Sequence, residues 1–216
     1  LDELTPFEET LYVDVDMAWL PRIKPSELFD KLKDIEFTGI TEGYYDIENP
    51  DKSAPAKHYY YWAEPAEIVE KYALSKGKLY QWRSEVIYFK KTDKVRSTFQ
   101  RARDIYGNPG LDSIKLFAHH VPDELALNIA CASEGIEPHQ FNWQPSYWNR
   151  MHGEYMPAID ELYGKYYLLS CGSNVSSGSL KKAYDRIIKS AAYKLGIQHN
   201  FPLISKRDFI KERQIM

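Results

Sequence analysis

Cysteine is scarce in this chain: Cys131 and Cys171 are the only two among 216 residues. Neither stands in a CxxC or Cys/His ligand spacing, which excludes a zinc ribbon and a disulfide-stapled scaffold. Reduced thiols buried in helices are the expectation for both. No stretch approaches the roughly 18 apolar residues needed to span a bilayer, and the first residues do not read as a secretory signal. Gly-rich phosphate loops of the GxGxxG or Walker type are missing, as are HExxH and the Gly-x-Ser-x-Gly elbow. There is no low-complexity tract and no internal repeat, so no solenoid period declares itself.

What is present is an ordinary globular balance with two excesses. Apolar residues make 44% and charged residues 27% of the chain, which argues against disorder. A chain of this length buries roughly 70% of its unfolded surface and needs no covalent staple. The first excess is aromatic: 17 Tyr, 5 Trp and 9 Phe. A buried phenol or indole needs a polar partner for its tip, so many of these rings belong at the core edge or at interfaces. The second is local charge. Residues 1–51 hold 14 Asp/Glu against 4 Lys/Arg, and residues 180–216 hold 9 Lys/Arg against 3 Asp/Glu. With a total of −3, the chain is not a dedicated nucleic-acid binder, which is usually basic.

Periodicity assigns most of the chain to helix. Leu11 to Asp16 alternates apolar and acidic residues as a half-buried strand does. Ser26 can cap a helix that buries Leu28, Phe29, Leu32 and Ile35. Residues 39–55 read as a long loop. Pro65 starts a helix carrying Ile68, Val69 and Tyr72, with Gly77 as its stop. Trp82, Val86, Phe89, Val95, Phe99, Ala102 and Tyr106 recur at threes and fours, predicting one helix over 79–106 or two broken at Thr92-Asp93. Pro122-Asp123-Glu124 opens a helix that Gly135 closes. Further helices are expected over 157–169, over 179–195, and after Ser205. The expected fold is mostly α: an irregular acidic arm over 1–60 with one short strand, then a helical domain over 61–216. An α-rich α+β domain is the alternative.

Candidate chemistry is sparse. Asp14 and Asp16 place two carboxylates on one face of a strand, about 7 Å apart, and metal-dependent phosphoryl-transfer sites use such pairs. An alternating acidic strand gives the same spacing without a site. His119-His120 point to different sides of a helix and form no joint ligand pair. His152-Gly153-Glu154 has the His-x-Glu of zinc deaminases but lacks the Pro-Cys-x-x-Cys partner. Ser170 to Ser173 is the one turn that could present a nucleophile, and it lacks the elbow glycines. Two aromatic clusters fall in or beside loops: Tyr59, Tyr60, Tyr61 and Trp62, and Trp143, Tyr147 and Trp148. They are candidate anchors for a protein partner, with lids over the chain's own core as the structural reading. Lys182, Arg186 and Lys189 share a helix face that could meet anionic lipid or an acidic neighbour.

Taken together these features favour a non-catalytic subunit of a large assembly. It would act through protein contacts, without a cofactor or a metal. Peripheral contact with a membrane, or with membrane subunits, would run through the basic C-terminal region. A chain starting at Leu1 without Met or tag suggests processing, and with it a mitochondrial energy-converting complex. The alternatives are an enzyme using Asp14, Asp16, His119 or His120 in a cleft, and a viral or phage structural protein.

Overall fold

The computed structural model describes residues 1–14, 17–20, 24–54, 62–107, 111, 114, 116, 123–139, 146–148 and 166–170. The chain divides into two compact units, Leu1–Val15 with Pro25–Asn142, and Asp16–Lys24 with Trp143–Met216. In the first unit, strands β1 (Glu9–Val13), β3 (Phe37–Asp46) and β4 (Lys78–Lys90) form an antiparallel sheet with β4 in the middle. Helices α1 (Pro25–Leu32), α2 (Pro65–Lys71), α3 (Asp93–Gly107) and α4 (Asp123–Ser133) accompany it, with a 3₁₀ turn at Pro50–Lys52. In the second unit, β2 (Met17–Trp19) pairs antiparallel and β5 (Ser146–Trp148) pairs parallel with β6 (Leu168–Ser170), whose three residues are buried. No helix among the described residues is long and apolar enough to cross a membrane.

The expectation of a mostly helical chain is therefore wrong. The interpretable residues are 38% helix and 30% strand, an α+β mixture. Two segments carry the error. Residues 39–46 were expected as the first part of a long loop, yet belong to the ten-residue β3 (Phe37–Asp46). Lys78–Lys90 was expected as helix, yet is the thirteen-residue central strand. Its Tyr80, Trp82, Val86, Ile87, Tyr88 and Phe89 are the residue types that fit a pleated surface. The strand is covered on both faces, so its apolar residues fall on both and their spacing mimics a helical stripe. Of the helix expected over 157–169, residues 157–165 lie outside the described residues, and Leu168 and Leu169 belong to strand β6. The irregular N-terminal arm is corrected too, because β1 and β3 flank the central strand.

Other expectations hold. The strand at Leu11 is β1, and α1 buries Leu28 and Leu32, one helical turn apart. Thr92 is where the predicted break falls, and it starts α3: its Oγ1 accepts from the Val95 amide at 3.4 Å and its carbonyl accepts from Arg96 at 2.9 Å. Helix α2 begins at Pro65 but stops earlier than Gly77, through Ala73 at φ +50°. Gly135, at φ +60°, follows α4 as expected. The helices and loops expected beyond residue 170 lie outside the described residues.

Helix α4 organises the core. Its residues from Leu125 to Cys131 are all buried, so it is apolar around its whole circumference. Leu125 and Ile129 meet Ile68 of α2 and Leu79 of β4, while Leu127 and Cys131 meet Phe37, Trp82, Phe89 and Phe99. The rings of that second group stack edge to face: Phe37 on Trp82 at 5.4 Å and Phe89 on Phe99 at 5.0 Å. Such pairs contribute about 0.5–1.5 kcal/mol each beyond their burial. Cys131 carries a free thiol here, and burial pushes it well above the usual thiol range.

Between Gly39↔Ile87 and Ile40↔Arg83, β4 has three residues, Ser84, Glu85 and Val86, opposite a single step of β3. The Val86 carbonyl folds over Gly39 so closely that a Cβ there would lie 2.9 Å from it and 3.4 Å from the Trp82 ring. Neither backbone nor a buried indole can yield cheaply. Gly39→Ala is expected to destabilise the protein by about 1–3 kcal/mol, read as a lower urea midpoint with unchanged slope. An unshifted midpoint would mean that the bulge is not packed on Gly39.

Candidate functional site

The bulge gathers charge. Arg83 opens it, with its side chain 8% exposed. Its Nε lies 3.5 Å from Glu42 Oε1, and its Nη2 pairs with Glu85. Glu42 sits in a second irregularity, where Glu42-Gly43 of β3 stands opposite Gln81 alone. β-Bulges bend a strand and re-aim its side chains, and they recur beside active sites. One residue past the end of β1, the Asp14 amide donates to the Glu85 carbonyl at 2.9 Å. The Asp14 carboxylate accepts from the Tyr12 phenol at 2.6 Å.

Glu124, in the first turn of α4, closes the group. Its Oε1 accepts from the Ser84 amide at 3.2 Å and lies 3.4 Å from the Ser84 hydroxyl. Its Oε2 accepts from the Trp62 indole N–H at 2.8 Å. A helix N-terminus favours an acidic side chain. Burial nevertheless dominates and raises the Glu124 carboxyl above the ordinary value of 4.5; Ser84, Trp62 and Arg83 pull it down, and Asp123 adds to the rise.

Glu42 and Glu85 thus flank the Arg83 guanidinium, and Glu124 reaches the same bulge through Ser84. At an effective dielectric near 20, opposite charges about 4 Å apart attract by about 4 kcal/mol. Arg83 holds Glu42 and Glu85 this way. Buried charge without a partner is costly enough that it takes up a proton or a counter-ion instead. Among the described residues, no three His, Cys, Asp or Glu side chains could hold a metal ion by themselves.

Of the residues singled out from sequence, Asp14 and Trp62 meet this group. Asp16, Tyr59, Tyr60, Tyr61, His119, His120, Trp143, His152 and Glu154 lie outside the described residues, as do Lys182, Arg186 and Lys189. Tyr147 and Trp148 lie in β5. Sequence reasoning missed Glu42, Arg83 and Glu85, and read Glu124 only as a helix start. The signal was available in Arg83-Ser84-Glu85, a charged triplet between Leu79-Tyr80-Gln81-Trp82 and Val86-Ile87-Tyr88-Phe89. Charges inside a buried strand are rare unless paired.

A concavity of about 440 Å³ lies in the same unit and is lined in part by Tyr72, Lys76, Lys78, Arg101, Ser133 and Glu137. Helices α2 and α4 end beside it, at Tyr72 and just before Gly135, and cations at helix C-termini are matched to the helix dipole. No protein-family profile, curated protein or solved structure matches the chain.

Glu124 binds its proton more tightly folded than unfolded, so its contribution to stability is complete below pH 4.5 and is lost as pH rises through the raised folded value. Glu124→Gln removes that titration. Between about pH 4 and pH 8, the unfolding free energy of E124Q relative to the parent should climb through that window and then level. A difference flat across the range, measured by urea unfolding, would show that burial does not control this carboxyl.

Proposed function

We propose that this chain is an enzyme, or the enzymatic part of one, and that the acidic cluster at the β4 bulge is its active centre. One observation carries the reading: Glu42 and Glu85 pair with Arg83, Glu124 accepts from Ser84, and the Asp14 amide meets Glu85, all at a double irregularity of the central strand pairing. The chemistry this suits is metal-assisted transfer or hydrolysis at a phosphate ester or anhydride. Magnesium is commonly held by one or two carboxylates together with substrate phosphates, without an all-protein cage. Asp14, one residue past β1, would hold the cation in this reading. A bound cation would supply Lewis-acid stabilisation of charge on the phosphate oxygens. Glu124, whose carboxyl burial raises above its ordinary value, is the acid–base group.

The test titrates Mn²⁺ into the full chain by electron paramagnetic resonance, with and without inorganic pyrophosphate. Binding should be weak alone, at least tenfold tighter with pyrophosphate, and lost in Asp14→Asn. Equal binding to the parent and D14N, or no binding in either condition, refutes the assignment.

A second reading is a non-catalytic subunit of a large assembly, such as a peripheral subunit of a mitochondrial energy-converting complex. Its support is exposed apolar surface: Leu4, Phe7 and Tyr106 are 86%, 66% and 55% exposed, and large exposed apolar groups mark contact sites when they cluster. In this reading the chain co-migrates at fixed stoichiometry with a larger particle during gentle native purification. A monomer throughout that purification rules it out.

A further inference from the structure

Glu124 joins three elements: α4, which carries it, the β4 bulge at Ser84, and Trp62 just before α2. We propose that Glu124 is a proton-controlled latch, holding Trp62 against the bulge when ionised and loosening its grip on the indole when protonated.

The hydrogen-bond directions make the case. The indole N–H at 2.8 Å from Oε2 can only donate, and so can the Ser84 amide at 3.2 Å from Oε1. A proton added to Oε2 would point at a donor and displace the indole. A proton on Oε1 has one acceptor in reach, the Ser84 hydroxyl at 3.4 Å, and the indole is left with a neutral acid in place of a carboxylate. Either way it loses a charge-assisted bond, the stronger kind. The pocket is therefore built for the carboxylate while its dryness favours the acid, which is what places a switch between two states. The charged groups around it divide by element. Asp123 of the same helix favours the proton, and Arg83 of β4 opposes it. Arg83 is itself shared with Glu85 of β4 and Glu42 of β3.

Trp62 is suited to be the moving part. It holds φ +59°, a left-handed backbone rare for a bulky side chain, and the next residue, Ala63, is pinned by a bridge to Leu116. Loosening the indole bond removes one of the contacts that keep that backbone in place.

The readout is the ¹H–¹⁵N indole resonance of Trp62 in the full chain, assigned with Trp62→Phe and followed from about pH 4 to pH 8. The peak should trace one titration with its midpoint above the ordinary glutamate value, exchanging faster with solvent on the acid side. In E124Q that movement should vanish while the other indole peaks stay in place. A Trp62 peak that does not move in the parent, or that titrates unchanged in E124Q, overturns the latch. If E124Q does not fold, Asp123→Asn replaces it: removing that charge should lower the midpoint, and an unmoved midpoint overturns the proposal. The latch needs no catalytic role for the cluster, so the indole titration and the Mn²⁺ titration succeed or fail independently.

Discussion

The central strand must hydrogen-bond on both sides and still carry Arg83, Ser84 and Glu85 through the middle of the unit. A regular ladder cannot accommodate this, because buried charges would then project into apolar layers on either face. The strand resolves the conflict by leaving β3 for three residues while β1 and Asp14 follow it past the bulge. Gly39 is the complement on the opposite strand, the position where a missing side chain lets the displaced carbonyl settle. Asn128 adds a bracket from α4: its Oδ1 accepts from the Trp82 amide at 3.0 Å, beside the departure point. The site and the fold thus share one cause.

Electrostatics then decide what the bulge can be used for. A salt bridge as buried as that of Arg83 with Glu42 and Glu85 contributes little net stability, because desolvation offsets most of the attraction; breaking it costs about 3–5 kcal/mol, since a charge is left alone. The arrangement is thus held in place more than it is rewarded. Glu124 reaches the same bulge through Ser84, where burial favours its proton and Arg83 opposes it.

Much of the local structure was legible in the sequence, and its limits are physical. Pro65, Asp123 and Gly135 marked helix ends because caps and breakers act locally. The alternating Leu11 to Val13 marked a strand because one of its faces is wetter than the other. Lys78–Lys90 misled because a strand covered on both faces keeps no period of two. Residues 39–46 misled for a related reason: two irregularities shift Gly39, Glu42 and Gly43 out of simple alternation. Asp14 was found because its neighbour pattern is local. Glu42, Arg83 and Glu124 come from β3, β4 and α4, and their meeting depends on strand pairing that no single stretch of sequence displays.

The two compositional excesses, aromatic and acidic, answer each other in this unit. A Tyr or Trp in a core edge needs an acceptor for its one polar atom. A carboxylate near apolar surface needs donors if it is to stay ionised. Tyr12 donates to Asp14, Tyr88 to Glu9 and Trp62 to Glu124. Each pair lets a large ring fill space while the carboxylate supplies its acceptor, and each ties separate parts of the backbone or stiffens one strand. Read from composition, such rings suggest anchors for a partner. At Trp62 the indole N–H is bonded within the chain, to a carboxyl that burial raises above its ordinary value. The same bond that satisfies the indole also reports on the proton, which makes Trp62 the natural witness to the state of the cluster.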